Sequence, residues 1–359
     1  MARGGSKQVP ALKAKPPAKE KVRRTTEPAK KDATAIGAPL DLQQKCLDLF
    51  REALKPTEDD NSEALQEVKT HLFNRDFAQA FGKESYLRAY AGRWSPSRAL
   101  AYHQVLVDVQ DEVLSTFGQT QTDGESVFRV VSIGGGAGAE LVSLATWLRM
   151  ESQGAIKPCR IMEKLHTTLL DIAAWDPVVA ELQQAITTPP QLSAYASAAA
   201  REANEAMLAK EAYTVTFNQL DALGMTESQC KEFIGGADLV TMMFTLNELY
   251  STSVAKTQKM LARITEASRP GSHLLVVDSP GSYSTVSING ADKNYPMQWL
   301  LDLTLAGNQK RSDGDDAKPK WEKIVTDESR WFRLPAGLKY PIDLENCRYQ
   351  IHLYRRAAG

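Results

Sequence analysis

Cysteine and histidine are scarce in this chain, and their spacing excludes several kinds of site. The 359 residues include four cysteines and five histidines. Metal sites made of these residues need closely spaced ligands, so no metal site is predicted and no histidine is expected to be catalytic. Isolated cysteines favour reduced thiols in a nuclear or cytosolic compartment over a disulfide framework. The cysteines are Cys46, Cys159, Cys230 and Cys347.

Long apolar runs are also absent. No stretch approaches the roughly 18 apolar residues that a membrane-spanning helix needs, and the N-terminus lacks the apolar stretch of a secretory signal. We therefore expect neither an association with a membrane nor secretion. With 43% hydrophobic and 24% charged residues, the chain fits one large α/β domain with appendages better than several small domains.

Charge is unevenly distributed along the chain. The net charge is -1, yet residues 1–31 carry ten Lys or Arg against two Glu, which leaves about +8 in this segment and about -9 in the remainder. Its richness in Ala, Pro and Lys predicts that 1–39 is a disordered basic tail. Such a tail suits RNA phosphates or nuclear import, and a solvated tail without a specific partner fits the charge equally well.

The most informative segment is a β-branched run, 127–133, that ends in a glycine cluster and continues at helical spacing. Gly134, Gly136 and Gly138 lack the Cβ atoms that would keep a nucleoside ligand away from the backbone, and the helix start offers unpaired N–H groups. They match the Gly-x-Gly-x-Gly pattern of methyltransferases. Gly134, Gly136 and Ala139 match the Gly-x-Gly-x-x-Gly/Ala pattern of dinucleotide-binding enzymes. S-adenosylmethionine (SAM), a dinucleotide and a plain turn therefore remain open. Under a SAM reading, Gly136→Val is expected to abolish binding and leave the fold largely intact.

Helical periodicity predicts an N-terminal helical region over 40–120, before a cofactor-binding domain over 121–359. Inside the helical region, the segment 93–98 predicts a helix that starts with Ser95 as its N-cap and Pro96 in its first turn. The flanking Arg93 and Arg98 fit either a capped helix with surface arginines or a cationic, aromatic surface for nucleic acid.

After the glycine loop, strand-like segments alternate with helices or loops, which predicts a parallel sheet covered on both faces. Two late strands joined by a short turn predict an antiparallel end to the sheet, an arrangement expected of a methyltransferase and not of a dinucleotide dehydrogenase. The predicted strands after the loop are 166–173, 213–220, 237–244, 272–278, 324–334 and 348–354.

Candidate site residues are the polar side chains at the carboxyl ends of these strands, where ligands bind in open α/β sheets. Asp171 could accept from ribose hydroxyls or cap a helix, and Asp221 could accept from an adenine amino group or form a turn. Asn247 and Tyr250 have the spacing of the Asn-Pro-Pro-Tyr element of amino methyltransferases without its prolines, and Asn247 could equally cap a helix. Asp278 is a base or a loop former.

Four segments together resemble the fungal large-subunit (25S) rRNA uridine-N3 methyltransferase family, from about residue 40 to the end. The resemblance implies an α/β fold with a seven-strand Rossmann-like methyltransferase sheet, SAM as cofactor, and a single uridine as target. It also implies that ribosomal RNA or a pre-ribosomal particle is the partner and that the protein acts as a monomer. The expected location is the nucleus or nucleolus, with the cytoplasm as a further location. One departure is Ser132, where many methyltransferases carry an acid. The segments are 93–100, 132–140, 245–249 and 330–334.

The implied target atom sets the chemistry. Uridine N3 carries an imide proton, so the site needs a base and in-line placement of the methyl group. Glu248 and Asp278 are the predicted bases, and Tyr250 or Tyr283 is predicted to stack on an unpaired uracil. The alternatives are a methyltransferase acting on a protein or small molecule and an inactive RNA-binding assembly factor.

Overall fold

The computed structural model describes residues 37–56, 62–117, 126–152, 162–281, 283–288, 291–306 and 319–358. The predicted basic tail therefore lies, up to residue 36, outside the described residues. Four helices precede the sheet: α1 (Leu40–Leu54), α2 (Glu63–Phe73), α3 (Phe77–Ala80) and α4 (Glu84–Phe117). None of the described helices is long and apolar enough to cross a membrane.

Helix α4 passes through Pro96 without interruption, so the predicted helix start at Ser95 and Pro96 is wrong. Proline has no N–H to donate to the carbonyl four residues earlier, which usually weakens a helix interior. Here the Tyr340 hydroxyl donates to that carbonyl, on Gly92, at 2.9 Å. The Ser95 hydroxyl donates instead to the carbonyl of Ala137, at 2.7 Å. Contacts with distant segments thus support the continuous helix.

The rest of the chain alternates strands and helices up to the fifth strand, then adds a hairpin and two late strands. That hairpin, formed by β6 and β7, was not predicted from the sequence. The elements are β1 (Val127–Ile133), α5 (Ala139–Ser152), β2 (Lys164–Asp171), α6 (Asp176–Thr187), α7 (Ala198–Glu202), β3 (Tyr213–Gln219), α8 (Glu227–Ile234), β4 (Leu239–Met243), α9 (Leu246–Thr252), α10 (Val254–Ala267), β5 (His273–Asp278), β6 (Tyr283–Ile288), β7 (Ala291–Pro296), α11 (Met297–Leu305), β8 (Trp321–Phe332) and β9 (Cys347–Arg356).

The seven-strand sheet has the order β3-β2-β1-β4-β5-β9-β8. The first five strands in this order are parallel, and β9 is antiparallel to both β5 and β8. The predicted parallel sheet with an antiparallel end is confirmed. Because Asp278 pairs with Gln350 and Phe332 pairs with Cys347, the end of β8 and the start of β9 lie at the carboxyl edge of the parallel strands.

The core lies on both faces of the sheet. Phe128 and Val130 of β1 belong to a cluster with α1, α4, α5 and α6, whereas Val131 and Ile133 belong to a second cluster with α8, α10 and α11. This alternation follows from the two-residue period of a strand. Helices α1 and α4 pack in the same cluster as α5, so they bring their side chains up to the glycine loop.

Candidate active site

The glycine loop joins β1 to α5 at the carboxyl edge of the sheet. Gly134 and Gly138 have φ angles of 84° and 87°, a region that L side chains rarely adopt. A Cβ atom at Gly136 would overlap the indole ring of Trp175. The expectation that Gly136→Val leaves the fold largely intact is therefore wrong, because a larger side chain would have to displace a buried tryptophan.

Asp171 lies at the end of β2 and contacts the glycine loop directly. Its Oδ2 accepts from the N–H of Gly136 and its Oδ1 from the N–H of Ala173, each at 3.1 Å. Burial raises the pKa of Asp171, and these hydrogen bonds oppose the rise. The carboxylate is half-buried and next to the loop, which is the position that the predicted ribose contact requires.

Asp221 follows β3 and is exposed. Its Oδ1 accepts from the N–H of Leu223 at 2.9 Å and so caps the short 3-10 turn over Ala222–Gly224. The turn role considered for this residue is thus observed. Its predicted contact with an adenine amino group stays a prediction.

Asp278 joins β5 to the start of α9. Its Oδ2 accepts from the N–H of Asn247 at 2.9 Å and its Oδ1 from the N–H of Ser279 at 2.7 Å. Burial raises the pKa of Asp278 to about 6, the negative charge of Glu248 adds to the rise, and the two hydrogen bonds and the charge of Arg98 oppose it. Both carboxylate oxygens therefore already hold backbone groups.

Two side chains at the start of α9 offer buried acceptors. Oδ1 of Asn247 and Oε2 of Glu248 are shielded from solvent and have no hydrogen-bond partner in the protein. An acceptor left in this state costs free energy, on the order of 1–3 kcal/mol for a neutral group and more for a charged one. These atoms can accept hydrogen bonds from a ligand at the carboxyl edge of the sheet.

Tyr250 does not line this site. Its side chain is 1% exposed and belongs to the second hydrophobic cluster, and burial raises its pKa above the usual value. The expectation that Tyr250 stacks on a base is wrong for this structure. The side chain of Tyr283, the other stacking candidate, lies outside the described residues.

Arg93 is also not part of a nucleic-acid surface. It is 8% exposed, pairs with Glu345, and donates to the carbonyl of Asp343 at 3.2 Å. The prediction of a surface arginine at this position is wrong, because the segment before β9 covers it. Arg98 is half-buried and donates to the Tyr90 hydroxyl at 2.6 Å.

Glu140, to which the sequence analysis assigned no role, is a buried carboxyl group beside the glycine loop. It is 4% exposed, and its Oε1 has no hydrogen-bond partner in the protein. Its carboxyl carbon lies 3.6 Å from the place where a Cβ of Gly135 would be. Burial raises the pKa of Glu140 to about 8; the charge of Arg98 lowers it and that of Asp171 raises it. Its position directly after the glycine cluster was the available sequence indication.

A cleft of about 660 Å³ opens next to Asp278, on the side of β9. Gln350, which pairs with Asp278 across the strands, donates to the carbonyl of Ser279 at 2.7 Å and forms part of the cleft wall. No local sequence pattern predicted this cleft. Its lining includes Pro280, Gly281, Gln298, Trp299, Asp302, Glu328, Ser329, Arg348 and Gln350.

Residues 50–355 match the model of a family described as "Putative SAM-dependent methyltransferase". The chain belongs to this SAM-dependent methyltransferase family. It is 36% identical over 330 residues to the 25S rRNA (uridine(2843)-N(3))-methyltransferase of Saccharomyces cerevisiae, covering 87% of this chain and 85% of the relative. The resemblance to uridine-N3 methyltransferases is thus confirmed, and among the cofactors left open by the sequence SAM is the one that the family uses.

Similarity to solved structures is low. A SAM-dependent methyltransferase from Methanosarcina mazei is 11% identical, with a TM-score of 0.35, over 64% of this chain and 93% of that one. Human N-acetylserotonin methyltransferase in complex with SAM is 14% identical, with a TM-score of 0.32, over 88% of this chain and 67% of that one.

The residues of this methyltransferase fit SAM. The glycine loop and the N-terminus of α5 suit a nucleoside, and Asp171 lies beside them. Ser132 cannot replace the acid found in many methyltransferases, because it is fully buried and its hydroxyl bonds that of Thr241 at 2.7 Å. Glu140 supplies instead a buried acceptor without a protein partner, which suits the α-ammonium group at the amino-acid end of SAM.

Proposed function

We propose that this protein methylates N3 of a uridine in large-subunit (25S) ribosomal RNA. The observation that carries the proposal is the 36% identity to the yeast uridine-N3 methyltransferase over 87% of this chain. The alignment spans most of both proteins, so it extends beyond the cofactor loop to the parts that must select a substrate. A methyltransferase for a protein or a small molecule would share the loop alone.

In the proposed site the carboxyl ends of β1 and β2 would hold the cofactor. The missing Cβ atoms of Gly134, Gly136 and Gly138 make room for Thr245, Trp175 and Leu182, so the loop offers its backbone to the cofactor. Asp171 would accept from the ribose, and Asp221 from the adenine amino group. Glu140 would accept from the α-ammonium group. Bound SAM supplies an electrophilic methyl group on a sulfonium.

We assign the base to Glu248 in preference to Asp278. The reason is that both oxygens of Asp278 accept from backbone N–H groups, whereas Oε2 of Glu248 has no partner. Glu248 takes the imide proton from N3, which leaves the nitrogen as a nucleophile. Bound SAM would supply the methyl group, whose bond to sulfur would break as the bond to N3 forms, with S-adenosylhomocysteine as the leaving group. Asp278 positions the start of α9, and Oδ1 of Asn247 is a second acceptor toward the uracil.

Uridine N3 lies on the pairing edge, so the target must be unpaired or extruded when it enters the site. Work on large-subunit rRNA supports a location in the nucleus or nucleolus, with a pre-ribosomal particle as a further partner. A single chain carries all the residues assigned above, which is consistent with a monomer.

The deciding experiment combines purified protein, SAM carrying an isotope-labelled methyl group and 25S rRNA, followed by mass spectrometry of the digested nucleosides. We expect labelled 3-methyluridine with wild-type protein and far less of it, in the same reaction time, with Glu248→Gln. Label that appears only on protein, on a small molecule or on another nucleoside would overturn the proposed substrate. No transfer to rRNA, either free or in pre-ribosomes, would favour an inactive assembly factor.

A further inference from the structure

The end of the β8–β9 pair carries an exposed tryptophan between two arginines. The Trp331 side chain is 50% exposed. The Arg333 guanidinium carbon lies 4.0 Å from the centre of its ring, and that of Arg348 lies 5.6 Å from it. Both arginines are exposed as well, so this group, called the Trp331 patch below, is not part of the core.

The two guanidinium groups of the Trp331 patch are available to a ligand. Within the described residues, no carboxylate lies at ion-pair distance from Arg333 or Arg348; Arg348 donates to the Ser329 hydroxyl at 3.0 Å. The nearby Arg330 is different, because it pairs with Asp327 and Asp108. An exposed cation without an acidic partner breaks no ion pair in the protein when it binds a phosphate, so the binding costs little free energy.

The Trp331 patch lies at the same edge of the sheet as the proposed base. Trp331 pairs with Arg348 across β8 and β9, and Gln350, two residues further along β9, pairs with Asp278. With strands about 4.8 Å apart and a rise of about 3.4 Å per residue, the patch is within roughly 15 Å of Asp278. Arg348 also lines the cleft that opens beside Asp278.

The charge of the rest of the molecule makes such a patch significant. Residues 32–359 carry a net charge of about -9, so a polyanion is repelled on average and needs local cations. Acidic side chains also line the cleft: Asp302 pairs with Lys323, and Glu328 is exposed. Among the described residues that line the cleft, the cationic one is Arg348.

We propose that the Trp331 patch is the docking surface for the single-stranded RNA next to the target uridine. A base stacks on the exposed indole or on a guanidinium plane, and Arg333 and Arg348 contact the flanking phosphates. The patch holds the strand while the target base enters the site at the carboxyl edge of the sheet. This assignment rests on the proposed function and names the part of the protein that recognises its substrate.

The test measures binding of a single-stranded 25S rRNA fragment to the full-length protein by fluorescence anisotropy over a series of salt concentrations. We expect Trp331→Ala to weaken binding roughly 5- to 150-fold, the scale of one lost base stack, with an unchanged salt slope. The Arg333→Gln, Arg348→Gln double variant should instead lower the slope of log affinity against log salt by about 1.4, or about 0.7 per phosphate.

The matched control is Arg355→Gln. Arg355 lies on the same strand β9 but pairs with His273 at the opposite edge of the sheet, and its side chain contacts Glu322. We expect wild-type RNA affinity and salt slope for this variant. Calorimetric binding of S-adenosylhomocysteine, unchanged in every variant, would show that the cofactor site is intact.

The outcomes separate this assignment from the proposed function. If wild-type protein forms 3-methyluridine in 25S rRNA, and the Trp331 and arginine variants keep its RNA affinity, salt slope and KM for RNA, the docking surface lies elsewhere. If the wild-type protein does not modify 25S rRNA, the proposed function itself fails. A raised KM for RNA with an unchanged kcat in the patch variants supports the assignment.

Discussion

Two carboxyl groups at the carboxyl edge of the sheet are buried, although burial disfavours the charged form of a carboxyl group. Glu140 and Asp278 are 4% and 2% exposed, and burial raises their pKa values to about 8 and about 6. They differ in their partners. Asp278 accepts from two backbone N–H groups, whereas Oε1 of Glu140 has no partner in the protein, so Glu140 has the greater capacity to bind a cation.

Glu140→Gln tests the assigned contact with the α-ammonium group. S-adenosylhomocysteine has the amino-acid end of the cofactor and 5′-methylthioadenosine lacks it. We expect the variant to bind the first ligand roughly 10- to 100-fold more weakly, the scale of a hydrogen bond to a charged group, and the second with little change. Calorimetric titration measures both affinities. Glu151→Gln, near the end of the same helix α5, is the control, and an equal loss for both ligands would contradict the assignment.

The raised pKa of Glu140 also predicts how stability depends on pH. A carboxyl group with a raised pKa binds more protons in the folded than in the unfolded state, here between about pH 4.5 and 8. Stability therefore falls as pH rises through this window. Arg98 on α4 and Asp171 on β2 are the charged groups that act on Glu140.

Glu140→Gln removes this contribution. Between pH 5 and pH 8.5 the free energy of unfolding should fall less in the variant than in the wild-type protein. The difference should be a few kcal/mol at most, on the order of 1.4 kcal/mol per unit of pKa shift removed. Asp278 contributes in the same direction between about pH 4 and 6 and remains in the variant. Urea denaturation at both pH values measures the difference. An unchanged pH dependence would mean that Glu140 is ionised in the folded protein without cost.

The choice of Glu248 as base predicts a large kinetic effect with intact cofactor binding. Glu248→Gln should lower the single-turnover rate by roughly two to four orders of magnitude, and higher pH should partly restore it, because hydroxide can form the uridine anion. Asp278→Asn should lower thermal stability, since it weakens the hydrogen bonds to Asn247 and Ser279. If Glu248→Gln reacts at the wild-type rate while Asp278→Asn shows the pH rescue, the two roles are exchanged.

Among the elements, α4 depends most on contacts outside itself. Pro96 removes a helical hydrogen bond in its interior, and the Tyr340 hydroxyl donates to the carbonyl that is left, on Gly92. The helix carries Ser95 and Arg98 to the glycine loop region, so its continuity supports the site.

A double-mutant cycle tests this interpretation of α4. Tyr340→Phe should lower the free energy of unfolding by about 1 kcal/mol, the usual net value of a hydrogen bond. In a Pro96→Ala background the restored N–H at position 96 can donate to Gly92, so the same change should cost less. Chemical denaturation measures the four proteins, with Tyr195→Phe as control because that side chain is 97% exposed. Additive effects would show that the two residues act independently.

For the whole molecule, charge is divided between a basic N-terminal segment and an acidic remainder. Residues 1–31 carry ten of the 43 Lys and Arg residues and only two of the 44 Asp and Glu residues. Their contribution to RNA binding should therefore be electrostatic and independent of RNA sequence. The Trp331 patch, in contrast, is proposed to act next to the target nucleotide.

Deletion of 1–31 is expected to weaken RNA binding more than methyl transfer at saturating RNA. Each lost phosphate contact should lower the salt slope by about 0.7. A protein whose tail is scrambled but keeps its composition is the control and should bind as the wild type does. Nuclear retention of a fluorescent fusion measures the second proposed role. An unaltered slope together with unaltered localisation would leave the tail without either role.

The sequence alone was sufficient for the elements whose patterns are local. A β-branched run, a glycine cluster and a helical stripe follow one another within 127–148, and alternating strands and helices predicted the sheet and its antiparallel end. These patterns reflect the spacing of apolar residues and the backbone conformations open to glycine, and both depend on residues that are close together in the sequence. The combined motifs also identified the family. The hairpin β6–β7 had no comparable pattern and was missed.

Only the tertiary structure decided which polar and aromatic side chains lie at the carboxyl edge of the sheet and which are buried. Pro96 lies inside a helix because Tyr340 satisfies the carbonyl of Gly92, and Arg93 is covered because Glu345, 252 residues away, pairs with it. Tyr250 faces the core and not the site. The burial of Glu140 and the cleft beside Asp278 arise where segments distant in sequence meet. The burial of a side chain and its hydrogen-bond partners depend on such contacts, and no local sequence pattern encodes them. The sequence by itself therefore determined the strands, helices and sheet, whereas tertiary packing determined the chemistry at the carboxyl edge of the sheet.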